Sequence, residues 1–208
     1  VIGGSRLTNE AAYAWTKLVK GVIGSDSVDA QLGDGLPGDV LVGLPRATIE
    51  DACTPGGTVL VIGSDLKDEL PVLFLRIRDA VTRRRATLIE LSPRETSLQS
   101  LVKRSLRHTP GAVNELVAQV IAADPEGDED LSVARPALAA GALTVVLGRG
   151  SVAESPDATV AAASALLAAF PDVRFLSAVR RANVHGAIDA GMAPGLLPGQ
   201  VSLDEGSE

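Results

Sequence analysis

The sequence has very few of the residues that bind metals or act as nucleophiles. Its 208 residues include one cysteine, Cys53, and two histidines, His108 and His185. A single thiol excludes an internal disulfide, as well as iron-sulfur or zinc sites built from paired thiolates of this chain. No local motif links Cys53 to either histidine, so we predict a small buried apolar side chain there. We therefore expect no catalytic residue and no metal site, and a reducing compartment.

Aromatic residues, long apolar runs and positive charge are also scarce. Aromatic residues make up 2% of the chain and apolar residues 46%, which favours an α/β core of Ala, Val and Leu. No apolar run approaches the roughly 18 to 20 residues that span a bilayer, so we expect no direct membrane insertion. The formal net charge of -7 argues against nucleic acid as a partner, because phosphate binding requires clustered Lys and Arg.

Apolar periodicity predicts alternating strands and helices. Apolar, largely β-branched runs predict buried strands at 58–62, 86–91, 143–147 and 173–176. Apolar residues at helical spacing predict helices at 9–22, 70–81, 113–121 and 160–170. The alternation predicts a doubly wound, mainly parallel α/β sheet.

The first predicted helix has Asn9 as its cap and Ala11, Trp15, Leu18 and Val22 as its apolar stripe. Two basic runs, 83–85 and 103–108, are predicted to be helix C-terminal charges that the macrodipole favours.

The acidic, turn-rich segment that begins at residue 124 predicts an internal boundary. We expect 1–124 to form a first α/β unit and 125–199 to form a second layer that completes the same domain. Residues 200–208 are acidic without a packing pattern, and they predict a flexible tail. Because Val1 and Ile2 have the pattern of a strand end, we expect the chain to be a fragment of a longer subunit.

Three predicted strands end in glycine or polar turns, where open α/β sheets bind nucleotide-like ligands. Gly63 to Asp65 follow the first strand, and 92–96 follow the second. After the strand 143–147, Gly148 and Gly150 fit a relaxed dinucleotide-binding fingerprint. Pro156 suggests that the next helix starts later than the fingerprint requires, which favours an ordinary turn over an NAD-binding module.

These turns resemble those of the molybdopterin oxidoreductase family. The resemblance covers nearly the whole chain and depends on 4–10, Gly24, 28–29, 63–71, 92–96 and 110–111. It implies the α/β fold of formate dehydrogenase and DMSO reductase type enzymes, whose corresponding turns contact the tails of a molybdopterin dinucleotide.

Within that family the chain is most similar to the C-terminal region of the large iron-sulfur subunits of NADH-quinone oxidoreductases, or complex I. Catalytic members usually have an Arg-x-Cys-His stretch near the position of Gly33-Asp34-Gly35-Leu36-Pro37, whereas this chain has no Cys or His between Asp29 and Ala52. The segment 191–199 looks like the actinobacterial version of these subunits.

The turns depart from the family pattern at ligand positions. Where the family has Gly-x-Asn-Pro, this chain has Gly-Ser-Asp-Leu at 63–66. Where the family has Asp-Pro-Arg-x-Thr, it has Ser-Pro-Arg-Glu-Thr at 92–96, and where the family has Pro-Gly-Thr-Asp, it has Pro-Gly-Ala-Val at 110–113. Each polar ligand group left without a partner weakens binding by roughly 1 to 3 kcal/mol. The resemblance therefore implies degenerate cofactor-binding residues that hold turns in shape. They are Gly63, Asp65, Pro93, Arg94, Thr96, Pro110 and Gly111.

The resemblance implies two alternative functions. In the first, the chain is a scaffold without molybdopterin or any other cofactor, and it contacts other peripheral-arm subunits on the cytoplasmic side of the membrane. Its parent would transfer electrons from NADH to quinone through iron-sulfur clusters in a missing N-terminal part, so the fragment alone would not be an enzyme. In the second, the chain is part of a catalytic molybdenum oxidoreductase such as a formate dehydrogenase, and Asp65, Arg94 and Thr96 grip the dinucleotide.

Overall fold

The computed structural model describes residues 2–30, 36–63, 65–123 and 127–204. The α-helices are α1 (Asn9–Thr16), α2 (Gly38–Gly43), α3 (Ile49–Ala52), α4 (Leu66–Glu69), α5 (Pro71–Arg84), α6 (Val113–Ala122), α7 (Glu129–Ala139), α8 (Pro156–Ala169) and α9 (Val184–Asp189). A π-helix, Lys17–Ile23, continues α1. The strands are β1 (Thr58–Ile62), β2 (Thr87–Leu91), β3 (Arg104–Leu106), β4 (Leu143–Leu147), β5 (Arg174–Ser177), β6 (Leu196–Leu197) and β7 (Val201–Ser202).

The chain forms two compact units. The first unit contains 1–43 and 179–208, and the second contains 44–178. Residue 124, where we expected an internal boundary, lies outside the described residues, and both flanks of that segment belong to the second unit. The segment 33–35 also lies outside the described residues.

The second unit is built on a five-stranded parallel sheet of order β3-β2-β1-β4-β5. In the register of β1, Thr58 is paired with Thr87 of β2 and with Leu143 of β4. The chain moves from β1 outward to β2 and β3, then returns to β4 and β5 on the other side. The order in which strands are added therefore reverses between β1 and β4. This topological switch point is where ligands bind in this class of fold.

Helices cover both faces of this sheet. Val59 and Val61 of β1 pack in one apolar cluster with Phe74 and Ile77 of α5. Side chains alternate along a strand, so Thr58 points to the opposite face, where its hydroxyl donates to the carbonyl of Ala137 in α7 at 2.8 Å. The expected doubly wound, mainly parallel α/β fold is confirmed.

Most predicted elements of the second unit are present. The four predicted strands correspond to β1, β2, β4 and β5, and most of the apolar stripes predicted for α5 and α6 is buried. The prediction for the basic run 103–108 was wrong, since Arg104–Leu106 is the edge strand β3. The run 83–85 does close α5, with Arg83 and Arg84 in its last turn.

The first unit is assembled from short helices and a small hairpin. Lys20 lies at its centre, with a side chain that is only 8% exposed. Its ammonium donates to the Asp26 carboxylate at 2.6 Å and to the carbonyls of Ala193 and Leu196 at 2.9 and 2.5 Å. These three bonds fix the π-helix against the segment that leads into β6.

The first helix differs from its sequence prediction in two respects. Thr8, not Asn9, caps α1, since its hydroxyl accepts from the backbone N–H of Ala11 at 3.3 Å. The helix and its π-helical continuation bury small side chains, which are those of Ala12, Thr16 and Val19. Most of the predicted apolar stripe is exposed as a result.

The C-terminal segment is ordered further than expected. Strand β7 pairs antiparallel with β6, so two residues of the predicted tail 200–208 lie in a hairpin. Residues 205–208 lie outside the described residues. No described helix is both long and apolar enough to span a membrane.

Candidate functional site at the carboxyl edge of the sheet

The structure places the seven predicted site residues at one edge of the second unit's sheet. Gly63 and Asp65 follow β1, and Pro110 and Gly111 follow β3. Between them, after β2, lie Pro93, Arg94 and Thr96. All three strands are parallel, so their carboxyl ends meet at the same edge. We call this region the carboxyl edge.

Asp65 is buried and bonded within the protein. Its carboxylate caps α4 by accepting from the backbone N–H of Lys67 at 3.3 Å. It also accepts from the backbone N–H of Ser97 at 3.1 Å and from the Ser97 hydroxyl. Burial alone would raise the pKa of Asp65. The hydrogen bonds from Ser97 and Lys67 and the nearby charge of Arg94 outweigh burial and hold this pKa below its ordinary value.

The turn after β2 is closed by its own side chains. The Ser92 hydroxyl donates to the Arg94 carbonyl at 2.8 Å and accepts from the Arg94 N–H at 3.4 Å. The guanidinium of Arg107 also donates to the Arg94 carbonyl, and it donates to the Gln99 side chain at 3.2 Å. Pro93 is half-buried, whereas the Arg94 side chain is exposed. Ser92 thus organises the backbone of this turn.

Thr96 forms part of a buried cluster that sequence reasoning missed. Its hydroxyl donates to Glu90, a residue of β2 that is 1% exposed. The other carboxylate oxygen of Glu90 accepts from the Ser105 hydroxyl of β3 at 2.8 Å. The Thr96 hydroxyl also accepts from the backbone N–H of Leu98 at 3.1 Å. Both oxygens of Glu90 are therefore bonded to side chains of the protein itself.

The Pro110-Gly111 turn receives a carboxylate from the loop that follows β4. The backbone N–H of Gly111 donates to Glu154 Oε2 at 3.0 Å, just before α6 begins. Glu154 is buried, and its other oxygen, Oε1, has no partner among the described residues. Arg149 fixes the loop by donating to the carbonyls of Glu154 and Val152 at 2.6 and 2.9 Å. A protein carboxylate thus occupies a position that favours anions.

The turns that follow β1 and β4 are in direct backbone contact at the point where the strand order reverses. A Cβ atom added at Gly150 would lie 1.7 Å from the Gly63 carbonyl oxygen. One added at Gly63, where φ is +90°, would lie 2.7 Å from the Gly148 carbonyl oxygen. These glycines therefore allow two loops of the protein to pack directly against each other.

The glycine fingerprint after β4 does not open a helix. Helix α8 begins at Pro156, as the sequence suggested, and Ser155 caps it by accepting from the Ala158 N–H at 3.2 Å. A dinucleotide fingerprint requires the helix N-terminus to follow the glycines directly. The intervening 151–154 form the loop that delivers Glu154 to Gly111.

The remaining candidate residues do not assemble into a reactive group. Cys53 is buried beside Ala80 and Ala86. His108 Nδ1 lies 2.9 Å from the carbonyl oxygen of Thr109, and His185 belongs to the first unit. Within the described ranges, no group of three or more His, Cys, Asp or Glu side chains is placed to hold a metal ion.

The sequence contained a usable signal for Glu90 but not for Glu154. Glu90 is the single charged residue of the apolar run 86–91, and a central parallel strand is buried on both faces. A carboxylate there must be hydrogen-bonded, which could have directed attention to neighbouring hydroxyls. Glu154 lies 43 residues from its partner Gly111, and nothing local links the two.

The chain is similar to subunits of oxidoreductases, although no protein-family model matches it. It is 30% identical over 213 residues to the G subunit of the NADH-quinone oxidoreductase of Mycobacterium tuberculosis, a match that covers 96% of this chain and 24% of the relative. The corresponding G subunit of Streptomyces coelicolor is 29% identical over 223 residues, with 96% and 26% covered. The alpha subunit of the NADPH-Fe(3+) oxidoreductase of Geobacter sulfurreducens is 31% identical over 167 residues, with 76% and 20% covered.

A solved structure shares the fold. A chain of the formyltransferase/hydrolase complex FhcABCD from Methylorubrum extorquens superimposes with a TM-score of 0.62 at 16% identity. The match covers 96% of this chain and 59% of that chain. At this identity the likeness concerns the fold alone.

Two of these relatives agree with each other in name and in the share of this chain that is matched. Both are actinobacterial G subunits, and each is aligned with nearly all of this chain. The chain spans about a quarter of the length of these relatives. Over that region, this chain belongs to the G-subunit family of NADH-quinone oxidoreductases.

Proposed function

We propose that this chain is a cofactor-free scaffold domain of an NADH-quinone oxidoreductase. It would belong to the large iron-sulfur subunit, which supports electron transfer from NADH to quinone in the peripheral arm. Its partners would be other peripheral-arm subunits on the cytoplasmic side of the membrane. The domain contributes to oxidoreduction only through the parent complex.

The internal bonding of the carboxyl edge is the observation that supports this proposal. Polar side chains that would bind a dinucleotide tail are bonded instead to other side chains of this domain, as Asp65 is to Ser97 and Thr96 is to Glu90. A ligand would have to break these bonds before it could form its own. Each broken bond with a buried group costs roughly 1 to 3 kcal/mol.

The charge of the edge also disfavours a pyrophosphate. Asp65, Glu90 and Glu154 are buried acidic residues of this region. Glu154 accepts a backbone N–H just before the N-terminus of α6, where a phosphate would otherwise be favoured. Like charges in a region of low dielectric repel strongly, so an anionic dinucleotide fits this edge poorly.

The catalytic alternative requires Asp65, Arg94 and Thr96 to grip a molybdopterin dinucleotide. Asp65 and Thr96 are buried, and Arg94 alone of the three presents an exposed side chain. One exposed guanidinium does not replace the set of base, ribose and phosphate contacts that a dinucleotide needs. The residues present therefore do not fit this cofactor.

Iron-sulfur clusters of the parent would be held outside this chain. Such clusters are ligated mainly by several cysteine thiolates, and the chain has only Cys53, which is buried. The domain would then act by packing against neighbours and holding the arm in shape.

A substitution at Arg94 tests the proposal against the catalytic alternative. We would introduce Arg94→Ala into the intact parent complex, with Glu95→Ala as the matched exposed neighbour. The scaffold proposal predicts the same NADH-quinone reductase activity and the same molybdenum content in both variants. A loss of molybdenum and of activity confined to Arg94→Ala would instead support the catalytic alternative.

A further inference from the structure

The first unit presents large apolar side chains along α1 and the π-helix. Trp15 is 41% exposed, Leu18 is 43% exposed and Val22 is 74% exposed. Their spacing of three and four residues places them near one another on one helical surface. We call these three residues the Trp15 stripe. Tyr13 and Ile23, which are also exposed, lie in the same segment.

The orientation of this helical segment is fixed, so the stripe is not exposed through loose packing. An adjacent surface of the same segment buries Ala12, Thr16 and Val19 completely or almost completely. The ammonium of Lys20 then holds the π-helix through Asp26 and two backbone carbonyls. A rotation that buried the stripe would break these three bonds and expose the small residues.

This arrangement is the reverse of that of an ordinary surface helix. A surface helix of a globular protein buries its large apolar residues and exposes polar ones. Here the small side chains are buried, and the tryptophan, the leucine and the valine are exposed. Large apolar side chains that are exposed near one another in this way mark an interaction site, and tryptophan is enriched at such sites.

We propose that the Trp15 stripe docks against an apolar surface of the same G-subunit polypeptide, in a part that lies outside these 208 residues. The G-subunit relatives are matched over only 24% and 26% of their length, so most of such a polypeptide lies elsewhere. Segments joined in one chain meet at a high effective concentration, of the order of mM for short linkers. This favours an intramolecular occupant over a second copy. The inference rests on the proposed function in that it takes the chain to be one domain of such a polypeptide.

Site-specific photo-crosslinking in the intact parent complex tests this inference. Leu18→p-benzoylphenylalanine would be introduced into the full-length polypeptide and irradiated, and crosslinked peptides would be mapped by mass spectrometry. The matched control is the same substitution at Leu75, an exposed leucine of α5 in the second unit. We expect position 18 to crosslink to residues of the same polypeptide outside this domain, at a several-fold higher yield than position 75.

Four outcomes would overturn the inference. They are crosslinks from position 18 to a different subunit, to a second copy, to residues of this domain only, or at a yield no higher than the control. Molybdenum and pterin would be measured on the same preparation. If the cofactor were present while the intramolecular crosslink formed, the scaffold proposal would fail and the docking inference would stand.

Discussion

The two compact units differ in how many large apolar side chains they expose. In the second unit, which has most of the residues, the exposed large apolar side chains are Val72, Leu75 and Val152. The shorter first unit exposes more of them, which are Ile2, Tyr13, Trp15, Leu18, Val22, Ile23 and Val201. A parallel sheet with helices on both faces buries its apolar residues by itself. A unit made of short helices and a two-stranded hairpin has fewer surfaces with which to do so.

The buried polar groups do not separate the two units in this way. At the carboxyl edge of the second unit, carboxylates and hydroxyls are paired with one another across strands, as in the contacts of Glu90 with Thr96 and Ser105. Buried polar atoms without a partner among the described residues nevertheless occur in both units. They include the hydroxyls of Ser5 and Thr16 in the first unit, and Glu154 Oε1 and His108 Nε2 in the second. The difference between the units therefore lies in their exposed apolar side chains.

Gly150→Ala should have the largest effect on the second unit. Its Cβ would lie 1.7 Å from the Gly63 carbonyl oxygen, and backbone cannot move aside as a flexible side chain can. We expect the free energy of unfolding to fall by about 3 kcal/mol in urea denaturation. The matched control is Gly141→Ala, whose nearest contact is 3.8 Å away, and it should change stability by less than about 0.5 kcal/mol. Equal effects of the two changes would contradict the close loop contact.

Glu90→Leu should have the next largest effect. It removes the carboxylate that accepts hydrogen bonds from the Thr96 and Ser105 hydroxyls, so both hydroxyls lose this acceptor in a buried region. We expect a loss of about 2 to 3 kcal/mol in unfolding free energy, measured by urea denaturation. Glu115→Leu, at an exposed position of α6, is the control and should be close to neutral. A neutral Glu90→Leu would show that the buried cluster adds nothing to stability.

Asp65→Asn should destabilise the protein in a pH-dependent manner. The folded-state pKa of Asp65 lies below its ordinary value of 3.8, so the carboxylate stabilises the fold above that value. This contribution is lost as the pH falls through the folded-state pKa. We expect the variant to lose about 1.5 kcal/mol at pH 7 and to approach the unsubstituted protein as the pH falls below 3.8 and through the folded-state pKa.

Urea denaturation of both proteins across this pH range checks the expectation. Asp68→Asn, an exposed residue of α4, provides the control. If the penalty of Asp65→Asn were the same at pH 7 and at low pH, the hydrogen bonds to the charged carboxylate would not be its cause.

Leu18→Gln should have the smallest effect on the isolated chain. Leu18 belongs to the exposed Trp15 stripe, so its loss should change the free energy of unfolding by less than about 0.5 kcal/mol. Trp15 is the single tryptophan of the chain, and its fluorescence reports on the first unit during denaturation. Val19→Gln is the matched control, because Val19 is buried in the same helix and should destabilise strongly. A large loss with Leu18→Gln would mean that the stripe is part of the core.

The elements that were predictable from sequence are those with long, one-sided patterns. Strand β1 is a continuous apolar run, and α5 has both a proline in its first turn and an apolar stripe, so neither depends on distant contacts for recognition. Strand β3 was missed because Arg104–Leu106 is three residues long and begins with a charge. Helix α7 was missed because Pro136 interrupts its pattern just after an acidic segment.

The site was predictable in position but not in chemistry. Turns at the ends of parallel strands can be located from the strands themselves, which placed Gly63 and Asp65 after the first strand and 92–96 after the second. Gly111 follows β3, which was not predicted, so its place at this edge came only from the structure. Whether those turns bind a ligand or each other depends on pairs distant in sequence, such as Asp65 with Ser97 and Gly63 with Gly150. The prediction that the Trp15 stripe is buried was wrong for a related reason, since apolar periodicity does not reveal which of two adjacent faces is buried.

The most direct test of the scaffold proposal is the molybdenum and pterin content of the intact parent complex, purified from cells grown with added molybdate. Metal would be measured by mass spectrometry, and pterin by the fluorescence of its oxidised form, each per G-subunit polypeptide. The internally bonded carboxyl edge predicts neither above background. One molybdenum and a matching amount of pterin per polypeptide, lost when Arg94 is replaced by alanine, would contradict the proposal.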